Sequence, residues 1–301
     1  MDIRQLQYLV ALAREKHFTR AAEACNVTQP TLSGRIRQLE LELGVPIVIR
    51  GQRYQGLTDE GQKVLKWAHL ILNNWNAMQH ELTQLSASDA SLTGRLVLGG
   101  IPSALPMIPF LTKSVRQEHS RIDFTVLSMS SEEILRGLHD YVIDVGITYL
   151  DNEPIAGMIA SPLYTERYCL FVPDGHPLAG LTSITWTEAS RVPLGLLTNN
   201  MQNRRIIDRA FRSANCNPEP ALETNSVINL CSNVRLMGLA SIMPHYILDI
   251  LGRDPGLQAI PLHEPEVAHG VGLVALDRDP LPPLIRAFQK AAASFSPDVI
   301  I

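Results

Sequence analysis

The stretch NVTQPTLSGRIRQLELELG, residues 26–44, decides the fold of the N-terminal part of the chain. Apolar residues recur along it at steps of four, three and four, which is typical of a helical stripe that faces a core. These residues are Leu32, Ile36, Leu39 and Leu43. Thr28 can cap the first turn, and Gly44 followed by Pro46 ends the helix. The stretch therefore predicts an amphipathic helix.

The opposite side of this helix carries polar residues of the kind that contacts nucleic acid. Gln29, Ser33 and Arg37 follow one another at steps of four, with Thr31 and Arg35 beside them. Gln and Arg can form paired hydrogen bonds with base edges, and Ser and Thr reach bases or phosphates. The alternative interpretation is an ordinary solvated face, because polar and basic residues are mostly exposed in any protein.

The flanking sequence favours the DNA interpretation. Residues 3–13 form an apolar helical stripe, and HFTRAAEAC predicts a short second helix whose Ala21 and Ala22 permit close packing. Two helices, a tight turn and a third helix are the arrangement in which a recognition helix enters the major groove. Downstream, VPIVIR and LT predict two very short strands around the loop GQRYQG, which forms a wing that carries Arg53.

Residues 1 to about 65 resemble the winged helix-turn-helix of LysR-type transcriptional regulators, through FTRAAEACNVTQPTLSGRIRQLELELGVPI and LTDEGQKVL. The resemblance implies that Gln29, Pro30 and Ser33 contact bases or the groove floor, and that Arg53 reaches the flanking minor groove. It implies phosphate contacts, which fix register without reading sequence, for a second group of residues. This group comprises Thr19, Thr28, Thr31, Arg35, Arg37 and Arg50.

The chain departs from this family pattern at two positions. Ile49 precedes Arg50 where a Phe is usual, and Gly34 follows Ser33 where an Arg is common. We expect the fold to be unchanged. The base preference of the family does not carry over at Gly34.

The charge is distributed unevenly along the 301 residues, a length that supports two or three domains. The whole chain has a formal charge of −4, but residues 1–58 hold eight Lys or Arg against five Asp or Glu. That segment is therefore at +3 and the remainder at −7. The asymmetry indicates a small DNA-binding module attached to an acidic body with a different task.

The sequence predicts a cytoplasmic protein without a membrane partner. Its N-terminus reads as an amphipathic helix rather than a secretory signal, and no run of about 18 apolar residues is present. The four cysteines show neither a CxxC motif nor a metal-ligand spacing, so we expect buried thiols and no metal or cofactor. They are Cys25, Cys169, Cys216 and Cys231.

A long helix is predicted to begin at Thr58, Asp59 and Glu60. Its apolar residues alternate steps of four and three, the spacing of a coiled-coil seam. They are Val64, Ala68, Ile71, Trp75, Met78, Leu82 and Leu85. A single packed helix is the alternative, but a long helix between two domains has few intramolecular neighbours to cover such a stripe. We therefore expect a homodimer, and the family resemblance implies the same. The operator of such a dimer is expected to be an interrupted inverted repeat.

Beyond the turn-prone segment 86–94, short apolar strands alternate with helical stretches, which predicts α/β architecture with largely parallel sheets. The fold class is α+β overall, with a winged helix-turn-helix, a long coiled-coil linker helix and an α/β effector domain. The expected domains are residues 1–58, 59–87 and 88–301.

Small hydrogen-bonding residues follow several of the predicted strands, where helix N-termini can point N–H groups at an anion. Helix capping is the alternative role for each of them. Together they predict a cleft for a small anionic effector. The candidate residues are Pro102, Ser103, Ala104, Ser128, Met129, Ser130, Thr148, Asn200, Met201, Gln202, Asn225 and Ser226.

The body resembles the effector-binding region of the same family through ASPLYTERYCLFVPDGHPLA and VRLMGLASIMPHYIL, with Ala240 where a second Gly is usual. The resemblance implies two subdomains like those of periplasmic binding proteins, about 91–163 with 268–301 and about 164–267, with the effector between them. Dimers of such regulators pair into tetramers in many relatives, so a dimer of dimers is expected. RNA polymerase is a further candidate partner.

Three other functions are alternatives to the effector-responsive regulator. An enzyme could use Ser103, His176, His245 or His269, but the chain has no GxSxG motif, metal-ligand cluster or phosphate loop. A thiol sensor could use Cys216 and Cys231, although both positions look structural. A solute-binding transport protein is opposed by the DNA-reading N-terminus and by the absence of a signal sequence.

Overall fold

The computed structural model forms two compact units, one containing the first four helices together with Asp140–Val142, and the other containing the strands and the remaining helices. The structure describes residues 1–49, 51, 54–86, 92–151, 155–251 and 256–295. The predicted DNA contacts Arg50 and Arg53 lie outside these ranges.

The N-terminal unit is helical. Its helices are α1 (Ile3–Glu15), α2 (Phe18–Ala24), α3 (Gln29–Leu43) and α4 (Asp59–Ser86). The ends of α3 are those predicted, because the Thr28 hydroxyl accepts from the Thr31 amide and Gly44 ends the helix in a left-handed conformation with φ 71°. Leu32, Ile36 and Leu39 are buried, whereas Leu43, in the last turn, is 41% exposed. The apolar stripe of α3 is therefore one residue shorter than predicted.

The predicted wing is present only as a minimal antiparallel pairing. Val48 and Leu57 form an isolated bridge, and the Ile49 amide donates to the Gly56 carbonyl at 3.0 Å. The Glu40 carboxylate accepts from the amides of Ile47 and Val48. The base of the wing is thereby attached to the end of α3.

The apolar stripe of α4 is in two different environments along the helix. Ala68 is completely buried, and the half-buried Val64 and Ile71 pack against the core of the N-terminal unit. The expectation that α4 has few intramolecular neighbours was wrong for this first half, because α1 packs there. Farther along, the side chains of Trp75, Met78 and Leu82 are exposed, and that of Leu85 lies outside the described residues.

The C-terminal unit alternates strands and helices as predicted. Its strands are β1 (Thr93–Gly100), β2 (Arg121–Ser128), β3 (Val145–Tyr149), β4 (Met158–Pro173), β5 (Ile184–Thr185), β6 (Leu194–Leu197), β7 (Leu222–Thr224), β8 (Ala240–Pro244), β9 (Leu257–His263) and β10 (Ala268–Leu276). Its helices are α5 (Ile108–Glu118), α6 (Ser131–His139), α7 (Trp186–Ala189), α8 (Gln202–Ser213), α9 (Val227–Met237), α10 (Ile247–Leu251) and α11 (Pro283–Ala293). A 3₁₀ turn, Leu105–Met107, precedes α5.

The strands follow the order β2-β1-β3-β10-β4-β8-β6-β7, with β9 paired to β4 and β5 to β9. We call the part around β1, β2 and β3 the first half and the part around β6, β7 and β8 the second half. Within each half these strands are parallel. Strands β10 and β4, which lie between the halves, run antiparallel to their neighbours.

The prediction of largely parallel sheets was therefore wrong at the centre. Strand β4 pairs with β10 along its first part and with β8 and β9 along its second, and a β-bulge at Leu163 shifts the register with β10. One continuous strand thus connects the two halves. No helix of the described ranges combines the length and apolar composition needed to cross a membrane.

Candidate DNA-reading and effector sites

The polar face of α3 is accessible. Gln29, Pro30, Thr31, Arg35 and Arg37 are exposed, and Ser33 is half-buried. The exposed Thr28 caps α3, as predicted from the sequence, and its hydroxyl lies 2.8 Å from that of Thr31. These side chains therefore combine local helix stabilisation with a surface that can contact DNA.

The start of α2 contributes a residue that the sequence interpretation missed. His17 is the N-cap of this helix, and its Nδ1 accepts from the amide of the exposed Thr19 at 3.2 Å. His is not among the common N-cap residues, so the sequence carries no signal for this role. The bond occupies the Thr19 amide, and the Thr19 side chain stays exposed.

A cavity of about 640 Å³ lies at the carboxyl ends of β1, β2 and β6 in the C-terminal unit. Eight of the twelve predicted effector residues line it: Pro102, Ser128, Met129, Ser130, Asn200, Met201, Asn225 and Ser226. The other four are buried and are not part of its lining: Ser103, Ala104, Thr148 and Gln202. The lining comes from both halves.

Seven further residues line the cavity and were not predicted. They are Leu105, Pro106, Glu133, Val227, Ile228, Cys231 and Ile247. Most are apolar side chains in helical stretches, which in sequence are indistinguishable from core residues. The cavity is consequently more apolar than the predicted polar cleft, and among the described residues Glu133 is the only carboxylate in its lining.

The helix N-termini at the cavity differ in whether a side chain accepts hydrogen bonds from their backbone amides. The Glu133 carboxylate accepts from the Ser130 amide at 2.8 Å and from its hydroxyl at 2.9 Å, which lowers the pKa of Glu133. The Ser226 hydroxyl accepts from the Asn229 amide at 3.3 Å and so caps α9. Helix α8, in contrast, has Met201 as its N-cap residue and no side-chain cap. The N-terminus of α8 is therefore the most open of the three to a ligand.

Two buried hydroxyls of the first half have no hydrogen-bond partner within the described residues: Ser131 Oγ and Thr148 Oγ1. Ser131 follows the carboxyl end of β2, and Thr148 lies near the carboxyl end of β3. An unpaired buried hydroxyl is costly, so such groups need a water or a ligand atom.

A buried carboxylate connects the two halves behind the cavity. Glu166 is fully buried, and its two oxygens accept from the hydroxyls of Tyr149 and Tyr246, each at 2.6 Å. Asn203 of α8 donates to the Tyr149 hydroxyl at 3.2 Å. Burial raises the pKa of Glu166, and the tyrosine hydrogen bonds oppose that rise. No local sequence signal indicates this network, because its members are far apart along the chain.

Burial suppresses the reactivity of two of the thiols, those of Cys169 and Cys231. Cys231 lines the cavity with its sulfur 3.7 Å from that of Met243, and burial raises the pKa of the Cys231 thiol to about 11. Burial also raises the pKa of the Cys169 thiol to about 11. Cys216 is half-buried, with its sulfur 3.3 Å from the Ala214 carbonyl oxygen. A reactive thiol requires a lowered pKa.

The side chains considered for an enzyme are not assembled into a catalytic group. His176 Nδ1 accepts from the Leu178 amide, His245 Nδ1 contacts the Arg167 carbonyl oxygen, and His269 lies beside Asp151. Among the described residues, the Ser103 hydroxyl forms no hydrogen bond with any of these histidines. Within the described ranges there is also no cluster of His, Cys, Asp or Glu that could hold a metal ion.

Two family models match the chain. Residues 3–62 match the bacterial regulatory helix-turn-helix protein of the lysR family, and residues 89–295 match the LysR substrate binding domain. The hydrogen peroxide-inducible genes activator of Haemophilus influenzae is 28% identical over 99% of this chain and 97% of that protein. The probable cat1 operon transcriptional activator of Acinetobacter lwoffii is 33% identical over 60% of this chain and 58% of that protein.

Solved structures share the fold over the whole length. A full-length OxyR variant from Pseudomonas aeruginosa superimposes with a TM-score of 0.78 at 25% identity, covering 98% of this chain and 99% of that one. Full-length CbnR, solved in complex with its target DNA, gives a TM-score of 0.69 at 19% identity, covering 97% and 99%. The chain belongs to the LysR family of DNA-binding transcriptional regulators, not to a class of enzymes.

Proposed function

We propose that this regulator responds to a small molecule held in the cavity between the two halves of its C-terminal unit. The observation that carries the proposal is the cavity itself, which is lined from both halves and is large enough for a compact organic ligand. A ligand that contacts both halves favours one arrangement of them over another. Coupling of about 1–3 kcal/mol to DNA binding is sufficient for a useful switch.

The lining defines the chemistry of this ligand. Its apolar side chains suit a hydrophobic body, and the uncapped start of α8 suits one hydrogen-bond-accepting head group, such as the carboxylate expected from the sequence. The described residues of the lining include Glu133 but no Lys, Arg or His, so a ligand with several negative charges would not be compensated. We therefore propose a monocarboxylate with an apolar body.

The same proposal includes the domain division at residues 1–58, 59–87 and 88–301, and the DNA contacts of α3 and the wing. Gln29, Pro30 and Ser33 are assigned to the bases, and two such faces in a dimer read an interrupted inverted repeat. The exposed second half of the α4 stripe is assigned to the contact between protomers.

A thiol sensor is the second candidate, because activators of hydrogen peroxide-inducible genes are among the relatives. The raised pKa of the Cys231 thiol opposes it, because a sensing thiol needs a lowered pKa. We therefore rank it below the small-molecule sensor.

Thermal unfolding tests these alternatives. The panel comprises short aliphatic and aromatic monocarboxylates, their uncharged amides and dicarboxylates, each tested on the wild type and on Asn200→Trp, which places an indole at the cavity. A saturable rise in midpoint with monocarboxylates that Asn200→Trp abolishes supports the proposal. A shift with peroxide alone, abolished by Cys216→Ser or Cys231→Ser, contradicts it and favours the thiol sensor.

A further inference from the structure

The recognition helix contains a glycine inside its helical run. Glycine destabilises the interior of a helix relative to alanine, so each such residue requires an explanation. In the described chain three glycines lie inside helices: Gly34 in α3, Gly61 in α4 and Gly137 in α6. They differ in what an added Cβ atom would contact.

Close packing explains two of these three helical glycines. A Cβ on Gly61 would overlap the carbonyl group of Ile47. A Cβ on Gly137 would lie 3.2 Å from Ile143 and 3.3 Å from Met129, closer than most side-chain contacts. A Cβ on Gly34 would meet no described atom within 4 Å, and the residue is exposed. Nothing in the described fold around α3 therefore requires a glycine at position 34.

Gly34 lies at the centre of the outward face of α3. At about 100° per residue, its direction is about 170° from the mean direction of the buried Leu32, Ile36 and Leu39. It is the sixth residue of the helix, within the N-terminal part that contacts base edges in helix-turn-helix proteins. The exposed Pro30 and Arg37 share this outward side.

We propose that Gly34 is a specificity-determining residue, at which the bare backbone of α3 approaches a base-pair edge in the major groove too closely to admit a Cβ atom. The depth of α3 in the groove is then set at Gly34, and this depth determines whether Gln29 and Ser33 reach their bases. The inference rests on the assignment of α3 as the recognition helix.

The test uses the full-length protein. An operator is first selected from random duplex DNA with the wild type, and the affinities of wild type, Gly34→Ala and Leu41→Ala are then measured on it and on a scrambled duplex. Leu41 is 77% exposed and lies on the same outward side two turns later, so it is a matched control. Gly34→Ala is expected to raise the thermal midpoint and to bind the operator at least about tenfold more weakly, with unchanged affinity for scrambled DNA. Leu41→Ala is expected to match the wild type on both duplexes.

Three results would overturn the inference. If Gly34→Ala binds the operator within about twofold of the wild type, the glycine is not needed for close approach. If it loses affinity equally on both duplexes, the contact is to the phosphate backbone and reads no sequence. If the wild type enriches no DNA sequence at all, the recognition-helix assignment fails first, before any variant is made. A thermal midpoint of Gly34→Ala above that of the wild type shows that the variant is folded, so that misfolding does not explain a loss of affinity.

Discussion

The hydroxyl of Tyr149 lies 2.6 Å from a carboxylate oxygen of Glu166, and both residues are fully buried. Tyr149 belongs to β3 of the first half, whereas Tyr246, which holds the other oxygen, follows β8 of the second half. The Tyr246 hydroxyl is also 2.9 Å from the backbone oxygen of Ser103. One carboxylate thus joins segments of both halves beside the candidate effector cavity, at Pro102 on one side and Ile247 on the other.

Tyr149→Phe should destabilise the C-terminal unit. The change leaves Glu166 without one donor and Asn203 without its acceptor, and unsatisfied buried groups cost about 1–3 kcal/mol. The free energy of unfolding from urea denaturation measures the effect. Tyr8→Phe, in the core of the N-terminal unit and outside this network, is the control and should change stability by less than about 0.5 kcal/mol. An equal loss of unfolding free energy in both variants would contradict a stabilising role of the Tyr149 hydrogen bonds.

Glu166→Gln should change how stability depends on pH. Because burial raises the pKa of Glu166, the folded chain binds a proton at a pH where the unfolded chain has released it. The stability that this group contributes is therefore complete below the ordinary carboxyl pKa and is lost as the pH rises through the raised value. The free energy of unfolding of wild type and of Glu166→Gln is measured from pH 4 upward. The difference in this free energy, wild type minus variant, should fall with rising pH. Parallel profiles would refute the assigned direction of the pKa shift.

Gln29→Ala should weaken binding to the operator by about 1–3 kcal/mol and relax base preference at one position of each half-site. Gln29 is the first residue of α3 and is exposed. Gln7→Ala, an exposed glutamine on α1, is the matched control and should bind as the wild type does. An equal loss on all DNA sequences would identify Gln29 as a phosphate contact.

Trp75→Glu should shift the protein toward monomers in sedimentation velocity, because it places a charge within the exposed part of the α4 stripe. The control is Trp67→Glu, since Trp67 is also on α4 and 65% exposed but lies off the stripe. If Trp67→Glu dissociates the oligomer and Trp75→Glu does not, the protomer contact lies on another side of α4.

The recognition helix could be predicted from the sequence because its signals are local. Thr28, Gly44 and the spacing of Leu32, Ile36 and Leu39 determine both ends and the buried face. The strand ends around the cavity were predictable for the same reason, since small polar residues such as Ser128 and Asn200 follow apolar runs.

The features that could not be predicted from the sequence depend on pairing between segments that are distant along the chain. Strand β4 is antiparallel to its neighbours because it continues through both halves, and the residue pattern of a strand does not specify its direction. Val227 and Cys231 line a cavity, yet in the sequence they read as ordinary core residues of a helix. The Glu166 network joins residues as far apart as Ser103 and Tyr246, which no local pattern reveals.

The most direct test of the account is selection of binding sites for the wild-type protein from random duplex DNA. We expect an enriched inverted repeat whose half-sites are separated by whole helical turns, about 10 base pairs centre to centre or a multiple of it. Enrichment of a single unpaired half-site, or of no sequence, would contradict it.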